Sequence, residues 1–359
     1  MKIIFNTDQV YMYGGIEKVM ATKVNYLASM PNMEVYIVTT EQGNRPSCYP
    51  LDTKIKLIDL GVNYNRTKSY FSIENMRKAL THFKKQKKLF RELQPDAIIS
   101  PNLNFDFYWL PFIQRKAKKI KEIHSSRYNW EPSFRNNVNA WFEAQYDALV
   151  VLNKDEASHF KSENVVVIPN PIEKKETCCL LENKQVIAAG RIAPVKGFDE
   201  LIVAWKEVYQ QFPDWQLHIY GQDYLGTQEQ LRQQIEQNGL QAVVHFKGCV
   251  ADLPKMMLDY SIYAMSSVTE CFPMVLLEAL SVGLPIVSYD CPYGPRNILA
   301  HNEGGLLIRT RRPEFLATGI MRLIDDRHLR IHLGRKAKQR SSRFATDTVM
   351  QLWLSLLRN

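Results

Sequence analysis

Two glutamates stand eight positions apart in TECFPMVLLEAL (269–280), and the second of them looks out of place. Glu278 is surrounded by Val275, Leu276, Leu277, Ala279 and Leu280, where an unpaired carboxylate would cost several kcal/mol or neutralise. Pro273 suits the first position of a helix, because its missing N–H would have lacked a partner there. Glu270 is therefore expected in the loop before a helix and Glu278 inside it. In open α/β sheets ligands bind beyond the carboxyl ends of strands, where helix N-termini offer N–H groups and partial positive charge. YAMSSVTECF (263–272) reads as such a place: strand, loop, helix start. A carboxylate at 278 can accept two hydrogen bonds from a cis-diol such as a ribose, and Glu270 can accept from the hydroxyls of a second polyol. Two acids with no basic neighbour in sequence favour a neutral, hydroxyl-rich ligand. A solvent-facing Glu278 is the plainer alternative, but its neighbours give no polar face.

GRIAPVKGF (190–198) supplies Arg191 at the end of a buried strand and Lys196 before Gly197. A guanidinium fork and a mobile ammonium on one loop can clamp a diphosphate. Alone such a pair is usually just solvated; beside a diol-binding Glu it suggests a nucleotide diphosphate. YGGIEK places Gly14 and Gly15 at the opening of the first helix, where backbone N–H groups can approach a phosphate or sugar, although a tight strand-to-helix turn explains them equally. No G-x-G-x-x-G and no Walker motif occurs. His124 ends a predicted strand and is followed by Ser-Ser-Arg, so it is either a structural residue or a catalytic one at a sheet edge.

These residues need strands and turns to position them. KIIFNT, VYIVTT (35–40), DAIIS (96–100), KIKEIH (119–124) and ALVVLN (148–153) read as buried strands separated by helices such as 73–93. VVVIPNPI (165–172), with prolines on both sides of Asn170, reads as a stiff connection. The pattern then restarts with QVIAAGR (185–191), WQLHIYG (215–221), VVHFKG (243–248), YAMSS (263–267) and PIVSYD (285–290), with helices near 197–211, 227–237 and 273–282, then 313–333 and 346–357. Two doubly wound α/β domains facing across a cleft follow. The expected divisions are 1–168, 169–340 and a C-terminal helix within 341–359 that crosses back to the first domain, its apolar face made by Val349, Leu352, Trp353 and Leu356.

Composition agrees with a globular protein of two domains: 359 residues, 45% hydrophobic and 23% charged. The six cysteines form no C-x-x-C and no Cys/His metal spacing, which points to a reducing compartment. The start of the chain lacks a signal peptide and no run reaches the ~18 apolar residues of a membrane span, so a cytoplasmic protein is expected. The net charge of +9 is concentrated in residues 1–170, with 24 basic against 17 acidic residues (+7), leaving 22 against 20 (+2) for the remainder.

In combination, YGGIEK, VIPNPI, GRIAPVKGFDELI, VHFKG and ECFPMVLLEALSVGLPIVSYD resemble the retaining, nucleotide-sugar-dependent glycosyltransferases of family 4, which have the GT-B fold. The resemblance implies Arg191 and Lys196 on the donor diphosphate, Glu278 on the ribose and Glu270 on the hydroxyls of the transferred sugar. It places the backbone N–H groups of Phe272, Pro273's successor Met274, and Val275 on sugar and phosphate, with Pro273 itself in the same donor-binding turn. Gly14 and Gly15 would approach the donor phosphate and His124 the 6-position of the sugar. Val250 matches the base-contacting loop and Gly221 the glycine that ends a strand under the nucleotide. The family usually has Gly where Cys271 stands, which narrows the sugar pocket or shifts its loop. CPYGP (291–295) resembles a loop in relatives that use UDP-hexoses or UDP-N-acetylhexosamines to build capsule, O-antigen or lipid-linked glycans. A UDP-sugar donor, a glycan acceptor that is lipid-linked, and retention of configuration are implied. No D-x-D occurs, so no metal and no other cofactor is implied.

Helix 73–93 places Ile73, Met76, Leu80, Phe83 and Phe90 at heptad-like spacing and clusters Lys84, Lys85, Lys87, Lys88 and Arg91 beside them; RKAKKIK (115–121) is a second basic run. A solvated helix face is the common outcome of such a run, and docking on an anionic inner leaflet is the sharper reading. No nucleic-acid recognition motif accompanies the charge. A nucleotide-sugar epimerase, a phosphorolytic enzyme or a non-catalytic nucleotide-sugar binder could use the same diphosphate clamp. Acceptor-dependent release of free UDP separates transfer from all three.

Overall fold

In the computed structural model, which describes residues 1–128, 133–300 and 303–358, the chain divides into two compact units, Met1–Pro171 with Thr346–Asn359, and Ile172–Ala345. The first holds β1 (Lys2–Asn6), β2 (Glu34–Thr39), β3 (Lys56–Asp59), β4 (Ala97–Ser100), β5 (Lys118–Ile123), β6 (Ala148–Val151) and β7 (Val165–Val167), in the order β3-β2-β1-β4-β5-β6-β7. The second holds β8 (Gln185–Ala189), β9 (Gln216–Tyr220), β10 (Val244–Gly248), β11 (Ile262–Met265), β12 (Ile286–Tyr289) and β13 (Gly305–Ile308), in the order β10-β9-β8-β11-β12-β13. Every pairing is parallel. In each sheet the winding reverses beside the first strand, between β1 and β4 and between β8 and β11, and such switch points open a crevice at the strands' carboxyl ends.

The strands expected from apolar runs are present, and three others are not legible as such. β3 is a half-exposed edge strand; β7 opens the run 165–172, pairing with β6 before the chain turns through its prolines; β13 has only four residues. The single helix expected over 313–333 is two, Pro313–Asp325 and Arg327–Ser341, because the Asp326 carboxylate accepts from the Leu329 N–H at 2.8 Å and caps a new start. The last helix, Thr346–Arg358, belongs to the first unit and buries Val349, Met350, Trp353, Leu354 and Leu357 against Val24, Leu27 and the β1 side of that sheet. Leu352, expected on this face, is exposed.

The long helix of the first unit, α2 (Ile73–Leu93), does not bury its apolar pattern as one face: Phe90 is buried and Phe83 half-buried, but the three residues at its start turn outward. Ile73, Met76 and Leu80 are 75%, 46% and 64% exposed, while Asn75, Ala79, His82, Gln86 and Phe90 face inward. The inward polar groups are matched by partners on the sheet side. Gln86 donates to Asn6 Oδ1 at 3.2 Å and to Asp106 at 3.3 Å and accepts from the Trp109 indole at 2.6 Å. Asn75 donates to the carbonyls of Asn65 and Ser69, and His82 Nδ1 meets the Tyr64 hydroxyl at 3.0 Å. Hydrogen-bonded in this way, apart from His82 Nε2, which has no partner among the described residues, these buried polar side chains need not be expelled, and Ile73, Met76 and Leu80 are left on the outside beside Arg77, Lys84, Lys87, Lys88 and Arg91. The second basic run does not join them: Lys119 and Lys121 are buried within β5, and Lys118 donates to the Leu356 carbonyl at 2.6 Å.

Candidate active site

In the second unit the loops that leave β8 and β11, the two strands at the switch point, bring Lys196 and Glu270 together. Lys196 Nζ lies 2.5 Å from Glu270 Oε1, and the Ser267 hydroxyl donates to the same oxygen at 2.9 Å. The expectation that the two acids lack a basic neighbour holds along the sequence and fails in space. Two backbone devices build this corner. Gly197 has φ +61 and caps the helix α4 (Phe198–Gln211), which we number after α1 (Gly15–Ser29) and α3 (Phe134–Glu143); a Cβ on Gly197 would stand 2.3 Å from the Ser266 carbonyl oxygen. The Ser266 hydroxyl donates to the Lys196 carbonyl at 2.9 Å, tying the two loops. Gly221, after β9, approaches Gly190 so closely that a Cβ there would stand 1.9 Å from the Gly190 oxygen. Gly190 donates to the Tyr220 carbonyl and Gly221 to the Gly248 carbonyl, both at 2.9 Å. Arg191 emerges from this contact, exposed, its guanidinium 4.7 Å over the Tyr224 ring. Val250, half-buried, lies in the loop that follows β10.

The CPYGP segment is the brace of the Glu270 loop. Glu270 N–H donates to the Pro292 carbonyl at 3.0 Å, and the N–H groups of Tyr293 and Gly294 both donate to the Glu270 carbonyl at 2.8 Å. A Cβ on Gly294 would meet Pro273 Cδ at 2.4 Å, so the brace and the start of the next helix touch. Cys291 in this brace is buried, and burial together with the charge of Glu270 pushes its thiol up to about 12, keeping it neutral. Cys271 is buried as well, and Phe272 packs edge-on against Phe344 at 5.7 Å.

Pro273 is the residue before α5 (Met274–Ser281), not its first turn: ψ of 115 puts it in extended geometry, and its carbonyl accepts from the Leu276 N–H at 3.1 Å. The N–H groups of Met274 and Val275 thus open the helix, where first-turn donors have no carbonyl partner within it. Glu278 is 4% exposed on this helix and does not face solvent. A cation lies within its electrostatic reach: the Lys175 ammonium is held above its ordinary value by its hydrogen bond to Glu173 and, more weakly, by Asp252 and Glu278.

In the first unit His124 follows β5, and its Nε2 lies 3.1 Å from Glu122 Oε2. Glu122 in turn holds Lys23 Nζ at 2.5 and 2.6 Å, and that ammonium sits 4.4 Å over the Trp353 ring of the last helix. Burial works against the charge on Glu122, but Lys23 and His124 outweigh it and hold the carboxyl below the usual range. The imidazole is thereby oriented from behind by a buried ion pair. A cavity of about 360 Å³ opens before it, lined by Asp8, Asn102, Lys121, His124, Arg127 and Glu143 among others. Lys121 donates to the Ser100 carbonyl at 3.1 Å, and burial pushes its ammonium down to about 8. Gly14 precedes α1 and Gly15 opens it; the Glu17 carboxylate lies against Gly14, 2.2 Å from where a Cβ would be, and accepts from Gln9 Nε2 at 2.8 Å.

Sequence reasoning missed Lys23, Glu122, Asp8 and Lys121. The one signal available was charge inside the strand KIKEIH, since buried strands of parallel sheets are ordinarily apolar throughout. Among the described residues no group of three or more His, Cys, Asp or Glu could hold a metal ion.

Residues 172–340 match the family described as glycosyl transferases group 1. The chain is 28% identical over 365 residues to an uncharacterized glycosyltransferase of Haemophilus influenzae, covering 99% of both chains. Among solved structures, a variant of S. aureus TarM in complex with fondaparinux, alpha-GlcNAc-glycerol and UDP is similar with a TM-score of 0.81 at 16% identity over 100% of both chains. Anabaena HepE in complex with UDP is similar with a TM-score of 0.78 at 20% identity, again over 100% of both. The structural likenesses carry the fold and the sequence matches carry the activity class: the second unit is similar to the group 1 glycosyl transferases over residues 172–340, and the chain is a glycosyltransferase of the GT-B fold.

Proposed function

We propose that this glycosyltransferase is a retaining enzyme of family 4 that moves a hexose or N-acetylhexosamine from a UDP-sugar to a lipid-linked glycan acceptor in the synthesis of a surface polysaccharide or glycolipid. The observation that carries the proposal is the meeting of Lys196 and Glu270 at 2.5 Å where the loops from β8 and β11 converge. An ammonium for phosphate and a carboxylate for hydroxyls, held side by side, match the junction of a sugar diphosphate. UDP in the complexes of TarM and HepE supports the choice of nucleotide.

In this reading Arg191 and Lys196 hold the diphosphate, the opening N–H groups of α5 add to them, and Glu278 accepts from the ribose. The bond between C1 and the phosphate oxygen breaks with its electrons going to UDP, and the acceptor hydroxyl bonds to C1 from the same face. The leaving oxygen takes the acceptor's proton, and the cationic clamp stabilises the charge that departs. Neither glutamate is a covalent nucleophile, and the clamp works without a divalent cation. A donor panel read by UDP release, with extracted lipid-linked glycans as acceptors and with and without EDTA, tests this reading. Glu278→Gln is expected to weaken UDP binding by roughly 10- to 150-fold, the order of one hydrogen bond to a charged group at ~1.5–3 kcal/mol. Native UDP affinity in that variant, measured by calorimetry, would remove the ribose from Glu278.

The outward face of α2 supports peripheral docking on the anionic cytoplasmic leaflet that displays such acceptors. Ile73, Met76, Leu80, Lys84, Lys87, Lys88 and Arg91 follow one another at helical spacing, exposed. Each basic residue near such a surface contributes on the order of 1 kcal/mol, and the apolar residues at the helix start can enter the interface. Among the described residues no helix is long and apolar enough to cross a membrane. The protein is expected to float with vesicles containing phosphatidylglycerol at low salt, and Lys84→Glu/Lys88→Glu to stay behind. Equal recovery with pure phosphatidylcholine vesicles would exclude this use of the face.

A further inference from the structure

A second cavity of about 550 Å³ lies in the first unit beside α3, and it shares two residues with the His124 pocket: Arg127 and Glu143 line both. Those two side chains form an ion pair, 7% and 4% exposed, so the wall between the cavities is one fixed, charge-neutral contact. The wall is further anchored from below. Arg127 N–H donates to Glu156 Oε2 at 3.0 Å, and its guanidinium lies 3.8 Å over the Phe160 ring. The larger cavity is a groove with a different lining. Trp141, 56% exposed, forms one side and stacks at 6.1 Å on Phe112, itself 45% exposed. Asn136 and Asn137 bring amides and Ser162 a hydroxyl, which donates to Asn164 Oδ1 and can still accept, and His159 and Lys161 stand exposed at the rim. Among the described lining residues the one acid is Glu143, paired with Arg127.

An apolar ligand would leave the amides and Lys161 unmatched, and a small anion would not use Trp141. A pyranose chain uses all of them: its C–H faces lie on an aromatic ring, its hydroxyls meet amides, and an acidic substituent meets Lys161. We infer that the groove beside α3 binds the body of an acidic acceptor glycan, while the pocket before His124 takes the glycan's reacting end. The inference rests on the glycan acceptor of the proposed function and adds that acceptor's class, an extended saccharide bearing carboxylate, sulfate or phosphate groups. A volume in the range of small-molecule sites, ~300–1,000 Å³, is enough for the groove to hold more than one sugar ring beyond the transfer point.

The test is calorimetric binding to the full chain, with hexasaccharides of hyaluronan and heparin as acidic probes, maltohexaose as the neutral one, and the corresponding disaccharides. At least one acidic hexasaccharide is expected to bind tenfold or more tightly than its disaccharide. Trp141→Ala is expected to abolish that gain, Trp141→Phe to restore part of it, and Lys161→Ser to weaken the acidic hexasaccharide without changing maltohexaose. Both side chains are exposed, and thermal melting checks that the variants fold. No chain-length gain for any acidic probe, or native binding in both Trp141→Ala and Lys161→Ser, overturns the inference, as does displacement of the glycan by single-stranded hexadeoxythymidylate. UDP affinity is measured in parallel: its loss in the native protein refutes the donor reading, whereas its persistence beside failed glycan binding refutes the groove alone.

Discussion

Lys196→Ala is expected to lower kcat by about 10²–10³-fold, the usual cost of losing one group that stabilises charge developing in a transition state, with a smaller loss of UDP affinity. The variant loses an ammonium that is mostly buried, its side chain 20% exposed, and that sits against a carboxylate 14% exposed. Glu270→Gln is expected to reduce turnover more than UDP binding, because the carboxylate reaches the sugar end of the donor and the nucleotide is held by Arg191, Glu278 and the start of α5. The pair also makes a prediction together. Groups in direct contact couple by ~0.5–3 kcal/mol, so Lys196→Ala/Glu270→Gln should be far less impaired than the product of the two single losses. Steady-state rates of UDP release for the four proteins measure this. If both single variants lower the melting temperature and leave kcat intact, the ion pair is structural and the clamp lies elsewhere.

Gly221→Ala is expected to destabilise the second unit by about 2–5 kcal/mol, summing an overpacking cost of ~1–3 kcal/mol and a backbone cost of ~1–2 kcal/mol, and to abolish measurable UDP binding. The new methyl would have to occupy the space of the Gly190 carbonyl, whose oxygen is 1.9 Å away and whose carbon is 2.9 Å away, at a φ of +156. Neither atom is the end of a flexible side chain, so relief requires moving the backbone from which Arg191 emerges. Gly226→Ala is the matched control. It too has a positive φ, +74, but nothing lies within 4 Å of the added atom, so it should cost about 1 kcal/mol and leave UDP binding unchanged. Denaturant midpoints and calorimetric titration of the two variants separate crowding from backbone preference. Similar stability losses in both would mean that the Gly190–Gly221 approach relaxes without consequence.

The donor half of the site was legible because its residues are close to sequence landmarks. Lys196 and Glu270 each follow a buried strand and precede a helix, and parallel sheets gather strand ends at one edge. The support behind His124 was not legible, since Lys23 and Glu122 are 99 positions apart and nothing in either segment announces the other. Cys271 shows a different limit: the resemblance marks it as unusual, but only the structure shows that it is buried. With α2 the helix itself was legible, but only Phe83 and Phe90 of its apolar set turn inward, while Ile73, Met76 and Leu80 face out. Helical spacing tells which residues share a face; whether that face turns inward depends on what the rest of the unit offers, and here Asn6, Asp106 and Trp109 offer partners to Gln86 rather than an apolar bed. Short strands such as β13 fall below any periodicity, because four residues define a pattern poorly.

The placement of the last helix has a consequence in time. Val24, Leu27 and their neighbours leave the ribosome early, yet Trp353 and Leu357, which cover them, are made only after the whole second unit. Counted from the end of the first unit's leading segment at Pro171, synthesis of the second unit at ~5–20 residues per second takes roughly 10–35 seconds, during which the first unit carries an uncovered apolar face and the Lys23–Glu122 pair lacks its aromatic roof. In that interval the nascent chain exposes apolar surface of the kind that drives misassembly and that chaperones cover.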